Sequence, residues 1–235
     1  MDYPGRVSSS FFFQGCNLRC PWCHNRELVI GGAEGLVSAG DALAHVRKRR
    51  SVLGGVVLSG GEPCLYEGLP GLIEEIKSLA LPVKLDTNGT LPAMLETLFS
   101  REETRPDYIA LDLKIAPDRY GEAGGKLVES AALIRACGIA HEYRTLALPG
   151  GFITGEDIEA LAPLADNAPW HFRPFRGGSC LDPAWDSRQE SAAEAGARVQ
   201  ALAERARELG KQAACAISEV STNAKNSTLF CVNFT

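Results

Sequence analysis

Short runs of β-branched and aromatic residues alternate along the chain with longer amphipathic stretches. The runs predict strands over residues 7–13, 55–59, 83–86, 108–114, 142–148 and 171–175. Apolar residues recurring three and four apart predict helices over 41–50, 69–79, 91–99, 127–137 and 154–164, then a long one over 190–209. Gly138 and Gly210 stand where left-handed helix stops belong, and Thr154-Gly155-Glu156-Asp157 has the layout of a capping box.

Strands separated by helices predict a parallel sheet with crossover connections, either a barrel or a doubly wound sheet. The segments after the strands decide between them. Polar and glycine-rich chemistry follows nearly every one: Cys16 to Cys23, Gly60-Gly61-Glu62-Pro63, Asp86-Thr87-Asn88-Gly89, Asp112-Leu113-Lys114, Leu148-Pro149-Gly150-Gly151 and Arg173-Pro174-Phe175-Arg176. A barrel mouth gathers its site from all strand ends, whereas a doubly wound sheet concentrates it at one switch point. The expectation is an α/β chain forming a partial (β/α)6 TIM-like barrel over residues 1–212. Residues 213–235 are expected to form an atypical flexible tail, because 221–228 are polar and poor in apolar side chains.

Composition narrows the partners. A net charge of −5 argues against general nucleic-acid binding, which needs a basic face to neutralise phosphates. The run Arg47-Lys48-Arg49-Arg50 reads as the cationic last turn of a helix or as a docking patch for an acidic partner. No stretch reaches the roughly 18 apolar residues that span a bilayer, and Met1-Asp2-Tyr3-Pro4 lacks a signal-peptide layout, so a cytoplasmic location is expected. In that reducing compartment the eight cysteines are expected as thiols, and a tight group of them as a metal site.

Such a group is Cys16-Asn17-Leu18-Arg19-Cys20-Pro21-Trp22-Cys23, with spacing C-x3-C-x2-C. Each of the four irons in a [4Fe–4S] cubane takes one outside ligand, so three cysteines leave one iron open for a chelating small molecule. The same spacing admits a zinc site completed by His24 or Cys64. Further on, Gly60 and Gly61 let backbone groups approach a ligand, and Glu62 either contacts it or caps the next helix. Asp112 and Lys114 share a strand face, and they either contact a ligand or pair with each other.

The cysteine loop with Trp22 before its third cysteine, followed by Gly60-Gly61-Glu62-Pro63, resembles the radical S-adenosylmethionine (SAM) superfamily. That resemblance implies that Cys16, Cys20 and Cys23 hold a [4Fe–4S] cluster and that SAM binds its open iron. Reductive cleavage then yields a 5′-deoxyadenosyl radical. It also implies that Trp22 packs near the cofactor and that the Gly60 to Glu62 turn meets the SAM amino group. Asp86-Thr87-Asn88-Gly89 and Asp112-Leu113-Lys114 match the activating enzymes of glycyl radical proteins, where these stretches line the SAM site. In some of those enzymes the acidic residues and the threonine, here Asp86, Thr87 and Asp112, also hold a monovalent cation. Asp2-Tyr3-Pro4-Gly5, Cys23-His24-Asn25, Arg173-Pro174-Phe175 and Cys180-Leu181-Asp182-Pro183 resemble the branch that activates anaerobic ribonucleoside-triphosphate reductase. The implied partners are a class III ribonucleotide reductase and an electron donor of flavodoxin or ferredoxin type. Three alternatives stay open: a pyruvate formate-lyase type of target, a small-molecule substrate, and a zinc-binding interaction module. Arg176 departs from the pattern, standing where pyruvate formate-lyase activators carry a histidine. Cys64, Cys137, Cys180, Cys215 and Cys231 read as packing thiols.

Overall fold

The computed structural model describes residues 3–31, 35–188, 190–216 and 229–233, the last stretch (apart from Cys231) as backbone only. Six strands follow the expected segments: β1 (Ser8–Phe13), β3 (Gly55–Gly60), β4 (Val83–Thr87), β5 (Tyr108–Asp112), β6 (Ala140–Ala147) and β7 (Trp170–Pro174). They lie side by side in chain order and all pair in parallel. Three further strands complete the sheet: β2 (Val37–Ser38), β8 (Ala213–Cys215) and β9 (Leu229–Asn233). Their order is β2-β9-β1-β3-β4-β5-β6-β7-β8, and among the described residues the two outer strands do not close on each other. The result is an open, partial barrel.

Two of these further strands fall where the composition suggested a flexible tail. β8 pairs with β7, and β9 enters between β1 and β2, so these stretches belong to the sheet. The mostly apolar stretches Ala213–Cys215 and Leu229–Asn233 flank the polar run, and it is these that pair. The expectation for residues 217–228 lies outside the described residues, as does that for Asp2.

The sheet has two faces of opposite character, as the two-residue period of strands requires. Phe11, Phe13, Val56, Leu58, Val83, Leu85, Ile109, Leu111, Tyr143, Trp170 and Phe172 all enter one buried apolar core with the surrounding helices. The alternate positions carry Ser59, Lys84, Asp86, Asp112, Glu142 and Arg144, and form the polar face. Burying one row of large side chains against helices thus leaves the other row free to build a site.

Among the described residues six helices cover the apolar face, α2 (Ala39–Arg49), α3 (Leu69–Ser78), α4 (Pro92–Phe99), α5 (Ala123–Ala136), α6 (Gly155–Leu161) and α7 (Ala192–Glu208), while the short α1 (Arg26–Ile30) follows the cysteine loop and lends Val29 to a cavity at the carboxyl ends of the strands. α3 buries Leu69, Leu72, Ile73 and Ile76, one helical stripe. α7 opens on a capping box between Ser191 and Glu194, and Gly210 follows it with φ +77°. Gly138, after α5, has φ +72°. α5 starts four residues earlier than the apolar spacing indicates. The reason is tertiary: a Cβ on Gly124 would lie 1.9 Å from the Pro117 carbonyl oxygen, so glycine lets the helix begin against that turn. No helix among the described residues is long and apolar enough to cross a membrane.

Asp157 ties α6 to the loop after β5. Its carboxylate accepts from the backbone N–H of Ala116 (3.0 Å) and Thr154 (2.9 Å) and from Arg119 (2.7 Å). Burial pushes its pKa up, but those bonds outweigh burial and hold it below the ordinary carboxylate value. A group with a depressed folded-state pKa contributes stability that is full above its unfolded value, about 3.9, and is lost as the pH falls through the folded value. Asp157→Ala is expected to lower stability by about 2 kcal/mol at neutral pH, and by less at the acid end, in urea titrations at several pH values.

Candidate active site

One cavity of about 340 Å3 opens at the carboxyl ends of the strands, a size suited to a small-molecule cofactor. Cys16, Cys20, Trp22, Cys23, Gly60, Gly61, Asp86, Thr87, Asn88, Asp112 and Lys114 all line it. The sequence-predicted residues therefore converge from four different strand ends, with Glu62 the exception.

The cysteine loop leaves β1 and is fixed on both sides by backbone hydrogen bonds. Gly15 donates to Leu28 of α1 (2.8 Å) and accepts from Glu62 (2.8 Å); Gly61 donates to Phe13 (2.8 Å). On the far side, Leu181 donates to the Cys23 carbonyl and Asp182 to that of Pro21, both at 2.9 Å. Asn25 donates to the Gly60 carbonyl (2.8 Å), joining the end of the loop to the β3 turn. Only glycine permits that approach. A Cβ on Gly61 would stand 1.9 Å from the Gly15 carbonyl oxygen, and Gly60 has φ +106° with its hypothetical Cβ 2.6 Å from the Phe13 nitrogen. Gly61→Ala is expected to push the turn off the cysteine loop and to reduce iron retained after anaerobic reconstitution by at least about tenfold. Iron and sulfide assays per chain would check this; full iron content in that variant would contradict it.

Glu62 is buried and does not line the cavity. Its carboxylate accepts from Thr87 Oγ1 (2.8 Å), the Asn88 N–H (2.7 Å) and the Cys64 N–H (3.1 Å). Of its two expected roles, ligand contact and cap, the structure shows the cap, on the short turn Pro63–Leu65, together with a brace on the loop after β4. Asn88 carries that brace onward, donating to Asn17 (3.0 Å) and approaching the Cys16 sulfur at 3.8 Å.

Trp22 is nearly buried, its ring 4.9 Å from Phe152 and 5.3 Å from Trp185, so it anchors the loop in an aromatic cluster as well as lining the cavity. His24 meets the Gly178 carbonyl at 2.9 Å and packs on Phe175. Arg176 is exposed and does not line the cavity; Arg173 does, from the polar face of β7.

The floor is an ion-paired ladder. Asp86 accepts from Lys84 (2.6 Å), Ser59 (3.0 Å) and Arg144 (2.9 Å). Asp112 accepts from Arg144 Nε (2.9 Å) and from Lys114 (2.6 Å). Burial drives both carboxyls up, yet Arg144 and the adjacent lysines dominate and hold them below the ordinary range. Burial likewise lowers Lys114, and Asp112 overrides it, so the ammonium stays charged. The carboxylates and hydroxyl that the resemblance assigns to a monovalent cation are thus already paired within the chain. Arg144 and Lys84 were not singled out from sequence. Their signal is a charged residue at alternate positions of a strand otherwise apolar, as in Lys84-Leu85-Asp86 and Glu142-Tyr143-Arg144.

The three loop thiols suit a cubane. Burial pushes the Cys20 thiol up to about 11, with Lys114 pulling it down and Cys23 and Cys16 adding to the rise. Cys16, Cys20 and Cys23 leave one short loop and line one cavity, a set of three thiol donors that fits a cubane, in which each thiolate takes its own iron.

Residues 10–165 match the Radical SAM superfamily, and the chain belongs to it. It is accordingly an enzyme of that superfamily, whose cofactors are a [4Fe–4S] cluster and SAM. Within it, the chain is 30% identical over 175 residues to a Methanocaldococcus jannaschii protein provisionally named a glycyl-radical enzyme activating enzyme, covering 69% of this chain and 70% of that one. It is 32% identical over 166 residues to the pyruvate formate-lyase 1-activating enzyme of Escherichia coli, 64% of each chain. A shorter match, 38% over 79 residues and about a third of each chain, is to the 7-carboxy-7-deazaguanine synthase of Aquifex aeolicus. The fold is similar to that of Streptococcus suis SuiB bound to S-adenosylmethionine, with a TM-score of 0.67 at 14% identity, over 89% of this chain and half of that one.

Proposed function

We propose that the chain activates a glycyl radical enzyme, with a class III anaerobic ribonucleotide reductase as its target and a flavodoxin- or ferredoxin-type protein as its electron donor. The observation that carries this reading is the similarity to activating enzymes over about two thirds of the chain; the superfamily match over residues 10–165 takes in the cysteine loop and the Asp86 to Gly89 and Asp112 to Lys114 segments. When bound, the cluster and SAM supply a 5′-deoxyadenosyl radical able to take a hydrogen atom from a backbone glycine. The chain's own residues do the rest. Cys16, Cys20 and Cys23 hold the cluster. Backbone groups of Gly60 and Gly61 would hold the SAM ammonium, Lys114 its carboxylate and Asp112 its ribose, while Asn88 steadies the loop beside Cys16. Trp22 and its aromatic neighbours keep water from that side of the cavity. A reducing cytoplasm suits free thiols at all three positions.

The match to a deazaguanine synthase favours a second reading, a small-molecule substrate, but it spans only a third of the chain. Anaerobic incubation with SAM, a reductant and a class III reductase separates the two. The expected result is a glycine-centred electron paramagnetic resonance doublet on the reductase. Deoxyadenosine release that depends on a metabolite, with no doublet on any glycyl radical protein, would favour the second reading.

A further inference from the structure

The oxygens that the resemblance gives to a monovalent cation belong to Asp86, Thr87 and Asp112, and each is engaged. Asp86 holds Lys84 on one oxygen and both Ser59 and Arg144 on the other. Asp112 holds Arg144 on one oxygen and Lys114 on the other. Thr87 Oγ1 donates to Glu62 and accepts from the Gly89 N–H at 3.1 Å. A hard cation needs several oxygens turned toward one point, stripped of competing donors. Here three cationic groups stand against the two carboxylates, and any ion within contact of both carboxylates would face all three. Lys84 is the unusual member. It is 1% exposed, sits one layer deeper than the cavity on the polar face of β4, and also lies 3.8 Å from Glu142. Burying an ammonium is costly unless it is paired, and its shortest contact is the 2.6 Å bond to Asp86.

We infer that Lys84, with Arg144, takes the place of a monovalent cation beneath the cavity, so that this chain binds SAM without one. Lys84 acts as a positioning residue: it does not line the cavity but neutralises and orients Asp86, which does. The inference rests on membership of the superfamily and is indifferent to which substrate receives the radical.

The test is SAM affinity and melting midpoint of the anaerobically reconstituted protein in potassium, sodium and tetramethylammonium chlorides at matched ionic strength. The unaltered chain is expected to bind SAM equally, within about twofold, in all three salts, with the same midpoint. Lys84→Met opens an oxygen of Asp86 and is expected to bind about tenfold more weakly in tetramethylammonium and to recover in potassium or sodium. Lys84→Arg keeps the charge and is expected to stay indifferent. Tighter SAM binding or a higher midpoint for the unaltered chain in potassium or sodium alone would overturn the inference, whether or not either variant folds. So would a folded Lys84→Met that binds as the unaltered chain does in every salt, or weakly in every salt.

Discussion

Cys20→Ala is expected to reduce SAM cleavage to background, a loss of at least about three orders of magnitude. Cys20 is the middle thiol of a loop held at both ends, by the β3 turn and by the Leu181 to Asp182 segment. With one thiolate gone, two protein ligands remain for a cluster that already has one open iron. Cys137→Ala serves as the control. Cys137 sits at the end of α5, where its thiol is 3.0 Å from the Ile134 carbonyl, and its loss should leave iron uptake unchanged. Iron and sulfide content, visible absorption, and release of methionine and deoxyadenosine decide the matter. Normal cleavage by Cys20→Ala would remove that residue from the ligand set.

Arg144→Met should destabilise the fold by about 3 to 5 kcal/mol, the range for removing one member of a buried charge cluster. Arg144 forks between Asp86 and Asp112, and all three are mostly buried. Methionine fills comparable volume but leaves two carboxylates facing one another with Lys84 and Lys114 only at their outer sides. Arg144→Lys should recover part of the loss, because a single ammonium reaches one carboxylate where the planar guanidinium reaches both. Urea unfolding at neutral pH measures both values. A change below about 1 kcal/mol for Arg144→Met would mean that the ladder is not an energetic unit.

The six long strands were legible because each combines β-branched or aromatic residues with a polar segment at its carboxyl end. The cavity was legible for the same reason: the thiols, the glycine pair and the two acidic segments are all local motifs. Arg144 and Lys84 were not, since a lone charge inside a strand reads as a solvent-facing position until the register shows both lying on the polar face of a covered sheet. Glu62 was read as either a ligand contact or a cap, and its three partners, Thr87, Asn88 and Cys64, come partly from another strand. β8 and β9 escaped because strand propensity depends on neighbours, and these two take their conformation from strands remote in sequence or from the preceding helix, with no polar motif at their ends to mark them.

β9 pairs along β1, the strand that leads into the cysteine loop. The loop's supporting strand thus finds one of its two neighbours only through a contact between segments far apart in sequence. Pairing between such distant segments is slow to form. Iron that arrives before β9 has docked meets a cysteine loop whose supporting strand still has one side bare, so loading after that pairing is the order that this topology favours.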